Sequence, residues 1–155
     1  MRYGENGTFC FDPTKPGVKR MIYEDICRFR RWGFKLVKID YLTRDLCGLY
    51  GNEMGDRVFH SDMNWADDSR TSAEVMLDLH RAMRAAAGDD MVIIGCNALN
   101  HLVAGIFEVQ RTGGDTSGWS WDQTRKHGVR LCVVRFGIGM KSERPSAANG
   151  RSRAV

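Results

Sequence analysis

The sequence has few of the features that mark disulfide-rich or metal-binding proteins. Its five cysteines are odd in number and widely spaced, and no two form a CxxC pair, which argues against a disulfide framework and against a zinc site. The four histidines show no ligand spacing such as HxxxH. We therefore predict no metal and no other cofactor, and a reducing compartment fits this cysteine usage best.

Long apolar runs are also missing from the chain. No run approaches the ~20 residues that a membrane span requires, and nothing after Met1 resembles a signal peptide. We therefore expect a cytoplasmic protein that does not interact with a membrane.

The net charge of +4 raises the question of a nucleic-acid partner, but most of that charge lies at the end of the chain. Residues 141–155 contain four basic side chains against one acidic side chain, a net of +3, so the remainder carries about +1. Acidic and basic residues are interspersed in the body, without a basic stripe and interleaved aromatics. The sequence therefore predicts no nucleic-acid binding.

Helical and strand patterns alternate along the chain, which predicts parallel strands joined by helices. Helices are expected over 16–32, 71–87 and 119–127, and short strands over 34–40, 91–95, 106–111 and 129–134. The stretch 41–70 has no regular period, and its Trp65 is predicted either to pin this loop to the fold or to contact a substrate. We expect one domain over 1–136, followed by a disordered basic tail over 137–155.

The first candidate site lies at the end of the strand predicted over 34–40. Side chains alternate across a strand, so Lys38 and Asp40 share one face. Polar residues at the C-terminal end of a strand lie where the active sites of α/β barrels form. The alternative is that both residues begin a solvated loop, in which Lys38 neutralises Asp40.

The second candidate site is the segment QRTGGDTSG, which begins at Gln110 and follows another predicted strand. Its two glycines allow a sharp turn that presents Asp115 over the strand ends, next to Arg111. Asp115 as a helix cap is an alternative, and phosphate binding by the loop amides is another, although no GxxxxGK[ST] pattern is present. Trp119 and Trp121 follow, and each is predicted either to stack on a sugar ring or to pack in the core.

Two carboxylates at neighbouring strand ends are what retaining cleavage of a glycosidic bond requires. One carboxylate attacks as the nucleophile, and the other transfers the proton. A cation such as Lys38 favours an ionised nucleophile. The two segments together therefore predict Asp40 and Asp115 as a catalytic pair.

These motifs resemble the α-galactosidase clan, especially glycoside hydrolase families 27 and 36. The resemblance runs from about residue 12 to residue 134 and includes the segments WGFKLVKIDYL, DSRTSAE, IIGCN and QRTGGDTSG. It implies part of a (β/α)8 barrel, roughly strands four to seven, since a complete barrel needs about 250 residues. It also implies Asp40 as the nucleophile after strand four and Asp115 as the acid/base after strand six.

The same resemblance implies the other pocket residues. Lys38 and Arg111 would bind sugar hydroxyls, and Cys96 and Asn97 would line the pocket from strand five. Family 27 typically has a Glu after this Cys, whereas the present chain has Asn97, at a position that helps to choose the sugar.

The expected substrate is an α-linked oligosaccharide or glycoside, with α-galactosides foremost. Because part of a barrel exposes strand edges, a homo-oligomer is a further expectation. Two alternatives stay open at this stage. One is a non-catalytic carbohydrate-binding or truncated remnant of such an enzyme, and the other is a sugar-phosphate enzyme of barrel fold.

Overall fold

Helices and parallel strands alternate along the chain, as the sequence predicts. This computed structural model describes residues 2–3, 9–50, 54–59, 63–96, 100–111, 120–122 and 124–126. The described part begins with an antiparallel pair of two-residue strands, β1 (Arg2–Tyr3) and β2 (Phe9–Cys10). None of the helices within these ranges is long and apolar enough to cross a membrane.

Helix α1 (Pro16–Arg31) forms where the apolar spacing predicts it. Proline suits its first turn because the N–H that proline lacks would have no intrahelical partner there. The helix ends before Gly33, whose φ of +90° lies in the left-handed region that glycine adopts without strain. Ile26 is its buried residue, and α1 packs against the helix that begins at Ser72.

Helix α3 (Ser72–Ala87) begins at the predicted capping box, in which the side chains of Thr71 and Glu74 each accept a hydrogen bond from the backbone N–H of the other residue. The Thr71 hydroxyl accepts from the N–H of Glu74 at 3.3 Å, and the Glu74 carboxylate accepts from the N–H of Thr71 at 2.8 Å. The buried face of α3 supplies much of the apolar core. Its buried apolar residues are Val75, Met76, Leu79, Met83, Ala86 and Ala87.

The segment before α3 is fixed to the start of the chain by a buried carboxylate. Asp12 is 1% exposed and accepts hydrogen bonds from the N–H groups of Thr14 at 3.0 Å and Ala66 at 2.9 Å. Trp65 is also buried, and its indole N–H donates to the Ser72 hydroxyl at 3.1 Å. Trp65 therefore pins the loop, which is the first of the two roles predicted for it.

Strands β3 (Leu36–Ile39), β4 (Val92–Gly95) and β5 (Val109–Gln110) form a parallel sheet in that order. Its alternate side chains, including Val37, Ile39 and Ile93, pack towards the helical core. The opposite face of β3 carries exposed side chains. Consecutive parallel strands in sequence order are also what a segment of a (β/α)8 barrel contains.

Several features differ from the sequence expectations. The irregular stretch predicted over 41–70 contains helix α2 (Leu42–Cys47) and a 3-10 helix, Gly55–Phe59. The strand predicted over 106–111 is reduced to β5, because helix α4 (Asn100–Val103) precedes it and the turn after that helix takes up residues 106 and 107. This correction shortens the strand but keeps its C-terminal end.

The last part of the prediction is described only in fragments. Residues 121–122 and 124–126 are helical, in agreement with the helix predicted over 119–127. The strand predicted over 129–134, the domain boundary at 136 and the predicted tail over 137–155 lie outside the described residues.

Candidate functional site

The candidate site is a row of three residues that directly follow the three parallel strands. Asp40 follows β3, Cys96 follows β4 and Arg111 follows β5. The N–H of Cys96 donates to the Ile39 carbonyl at 2.8 Å, and the N–H of Arg111 donates to the Gly95 carbonyl at 2.9 Å. These bonds continue the sheet ladder and hold the three residues in register. Because side chains alternate along strands, all three lie on the face opposite the helical core.

The Asp40 carboxylate is held by contacts on both of its oxygens. Its Oδ2 lies 3.1 Å from Nζ of Lys38, and its Oδ1 accepts from the N–H of Tyr41 at 2.8 Å. Asp40 retains 32% of its side-chain exposure, so a ligand has access to it. Lys38 and Asp40 are therefore on one face and in contact, as the alternation predicts.

The Lys38 ammonium is stabilised as a cation. The hydrogen bond to Asp40 and the attraction of its charge raise the pKa of Lys38 above its usual value, although the positive charge of Arg111 opposes this effect. A permanent cation beside a carboxylate favours the ionised carboxylate. The site therefore provides an anionic oxygen that is exposed on one side and ion-paired on the other.

Cys96 lies between the two charged neighbours, and its side chain is 0% exposed. The Arg111 guanidinium donates to its sulfur, with 3.4 Å between Nη1 and Sγ. Burial is the main cause that raises the pKa of the Cys96 thiol, the neighbouring Asp40 carboxylate raises it further, and Arg111 opposes both. The thiol is therefore protonated at neutral pH.

An aromatic pair beside Asp40 was not predicted from the sequence. The rings of Tyr41 and Tyr50 have centroids 6.1 Å apart, and the Arg44 guanidinium lies 5.0 Å from the Tyr50 centroid. Tyr41 has a positive φ of 55°, which is uncommon for a residue other than glycine and turns the chain directly after Asp40. Tyrosine at position 41 does not indicate such a turn, so the sequence pattern could not predict it.

The structure brings together four of the residues predicted for the site, namely Lys38, Asp40, Cys96 and Arg111. Three others, Asp115, Asn97 and Trp119, lie outside the described residues. Core packing, one of two roles considered for Trp121, is wrong, because this side chain is 77% exposed. Within the described ranges, no cluster of three or more His, Cys, Asp or Glu side chains could hold a metal ion.

Comparison with known proteins gives a likeness in structure but not in sequence. No protein-family model matches the chain, and no curated protein matches it. The fold is similar to TtGalA, an alpha-galactosidase from Thermus thermophilus whose structure is in complex with stachyose, with a TM-score of 0.52 at 14% identity. The likeness covers 87% of this chain and 28% of the TtGalA chain, so this chain spans less than a third of the length of TtGalA. At this identity the likeness shows the fold alone.

Proposed function

We propose that this chain carries part of the active site of a retaining glycoside hydrolase that acts on α-linked sugars and is α-galactosidase-like. The observation that carries the proposal is the row of Asp40, Cys96 and Arg111 at three adjacent strand ends, with Lys38 paired to Asp40 at 3.1 Å. In α/β barrels, active sites form at this end of the strands. The likeness in fold to an alpha-galactosidase supports the same class.

The proposed reaction uses two carboxyl groups. An oxygen of Asp40 attacks the anomeric carbon, and the bond to the leaving oxygen breaks as Asp115 donates its proton to that oxygen. The ionised Asp115 then takes a proton from water, whose oxygen attacks the same carbon and breaks the ester bond to Asp40. In retaining enzymes the two carboxyl groups lie about 5–5.5 Å apart, so the proposed mechanism requires this separation between Asp40 and Asp115.

The neighbouring residues would bind the sugar. The Lys38 ammonium and the Arg111 guanidinium would donate to hydroxyl groups, and Cys96 and Asn97 would line the pocket beside them. Trp119 would offer an aromatic face to the apolar face of a sugar ring. In this proposal, β3, β4 and β5 correspond to strands four to six of a (β/α)8 barrel, and the strand predicted over 129–134 is the seventh.

A mechanism-based label tests the nucleophile directly. An α-configured galactose-type cyclophellitol aziridine opens on the attacking carboxylate and leaves a stable ester. We expect peptide mass spectrometry to find this ester on Asp40, and chromogenic α-galactosides to be cleaved with retention. Asp40→Asn is expected to abolish both the label and turnover, and Asp115→Asn is expected to abolish turnover of substrates with poor leaving groups.

Asp90→Asn is the matched control for both carboxylate variants. Asp90 is an exposed carboxylate before β4, at the opposite end of the sheet, where it pairs with Lys35 at 2.8 Å. This variant should retain label and turnover. Turnover that survives Asp40→Asn, or a label on another carboxylate, contradicts the proposed mechanism. Sugar binding without turnover in the unmodified chain supports the non-catalytic carbohydrate-binding alternative instead.

A further inference from the structure

Tyr41 directly follows the candidate nucleophile and has a backbone conformation that is costly for a tyrosine. Its φ of 55° lies in the left-handed region, which glycine adopts without strain. In this conformation the Tyr41 N–H donates to Oδ1 of Asp40 at 2.8 Å. Glycine could make the same turn and the same hydrogen bond, so neither of them explains an aromatic ring at this position. Uncommon backbone conformations of this kind are concentrated at ligand-binding sites.

The Tyr41 ring is supported by a second ring. Its centroid lies 6.1 Å from that of Tyr50, with an angle of 49° between the two planes. The Arg44 guanidinium lies 5.0 Å from the Tyr50 centroid, within the range of a cation–π contact. These contacts restrict the orientation of the Tyr41 ring, yet Tyr41 remains 50% exposed. A ring that is both restrained and half exposed can offer a face to a ligand.

The ring of Tyr41 and the carboxylate of Asp40 are close enough to contact one sugar. By standard bond lengths, the centre of a tyrosine ring lies no more than about 5 Å from the backbone nitrogen of the same residue. Because that nitrogen lies 2.8 Å from Oδ1 of Asp40, the ring centre lies within about 8 Å of Oδ1. A pyranose whose anomeric carbon lies against Asp40 can span this interval.

We propose that Tyr41 is a substrate-binding residue whose ring packs against the apolar face of the sugar that Asp40 attacks. The identity of the sugar rests on the proposed function. In galactose, the C–H groups of carbons 3, 4 and 5 share one face, and this face can pack on an aromatic ring through dispersion. Tyr50 and Arg44 hold the ring in place for this contact.

Binding of D-galactose measures the contact without turnover, because galactose has no glycosidic bond to cleave. The chain has four tyrosines, so NMR of protein with carbon-13 in the tyrosine rings is simple to assign. The resonance that disappears in Tyr41→Leu belongs to Tyr41, and we expect galactose to shift it until binding saturates. Tyr41→Leu keeps an apolar side chain and should weaken galactose binding about tenfold. Tyr41→Phe keeps the ring and should recover most of this loss.

Two further variants separate the contact from general effects. Tyr23→Leu is the matched control, because Tyr23 is 40% exposed on α1, in the helical layer, and its replacement should leave galactose binding unchanged. Tyr41→Gly removes the ring but relieves the backbone strain, so a loss of binding that it shares with Tyr41→Leu does not come from strain. The proposal is overturned if Tyr41→Leu binds galactose as tightly as the natural chain, or if Tyr23→Leu loses as much affinity.

Turnover of a chromogenic α-galactoside distinguishes failure of this proposal from failure of the hydrolase. Tyr41→Leu should raise KM about tenfold and change kcat less, because the contact acts mainly on binding. Turnover with an unchanged KM in this variant overturns the contact and leaves the hydrolase in place. Galactose binding that depends on Tyr41, without turnover in the natural chain, supports the contact and counts against the hydrolase. Absence of galactose binding by the natural chain overturns the contact.

Discussion

Protonation of a single core histidine should weaken this fold in mild acid. His80 belongs to α3 and is fully buried, and among the residues that the structure describes neither ring nitrogen has a hydrogen-bond partner. Its ring meets Phe107 edge-on, with 5.3 Å between the centroids. Burial lowers the pKa of His80 from 6.5 to about 4, and a contact with the Leu102 backbone, which does not meet hydrogen-bond geometry, opposes this effect.

The sign and size of the effect follow from proton linkage. The unfolded chain binds a proton at His80 near pH 6.5, while the folded chain resists it down to about pH 4. Stability from the neutral imidazole is therefore complete above pH 6.5 and is lost as the pH falls towards 4. The difference between the two pKa values corresponds to about 3 kcal/mol when fully developed.

Urea unfolding at several pH values between 4 and 8 measures this loss. His80→Leu replaces the titrating group with an apolar side chain. Between pH 8 and pH 4, the free energy of unfolding of this variant should therefore fall by about 3 kcal/mol less than that of the natural chain. His101→Gln is the control, because His101 is exposed on α4. If His80→Leu retains the full acid dependence of the natural chain, burial of a neutral His80 is not its cause.

Two further substitutions test how the sheet is packed and joined to α3. Gly95→Ala should cost about 1–3 kcal/mol, because the added Cβ would collide with the side-chain oxygen of Gln110 and lie 2.9 Å from the Phe107 ring. Urea unfolding should show a smaller cost in a Gln110→Ala background, and an equal cost there would exclude the collision with Gln110. Arg84→Met should cost about 2 kcal/mol, because the guanidinium donates to the Met91 carbonyl at 2.7 Å. Exposed Arg81→Met should change the free energy of unfolding by less than about 0.5 kcal/mol in urea, and equal effects of the two arginine variants would contradict this role.

The elements predicted well from the sequence are those that carry their own boundaries. Helix α3 has a capping box at Thr71 and a glycine at 88, so residues next to each end determine where the helix begins and ends. Helix α1 has Pro16 at its start and Gly33 after its end. Strands β3 and β4 are short apolar runs between such helices. In each case the pattern within a few residues decides the structure, and the structure confirms the prediction.

The elements that were missed are those whose residue pattern does not by itself decide the structure. Helix α2 is only six residues long and lies in a polar stretch, and its apolar residues are buried in the core cluster that distant segments of the chain build. The segment predicted as a strand from residue 106 instead begins as a turn, because the N–H groups of Ile106 and Phe107 donate to the Val103 carbonyl. Apolar composition alone cannot distinguish a strand from such a turn.

The candidate site likewise contains one contact that the sequence predicts and one that it does not. The pairing of Lys38 with Asp40 follows from alternation along one strand and was predictable. The contact between Arg111 and Cys96 depends on the register of two strands, which single-strand patterns do not contain. Without a register, the sequence offered only the family resemblance as a reason to group them.

The register of the sheet, rather than side-chain contacts, sets the positions from which the site residues act. Backbone bonds to the Ile39 and Gly95 carbonyls align Asp40, Cys96 and Arg111 without the use of their side chains. Substitution of these side chains therefore changes the chemistry of the row while its backbone stays in place. For this reason a lost label in Asp40→Asn can be attributed to the missing charge, provided that the urea midpoint is retained.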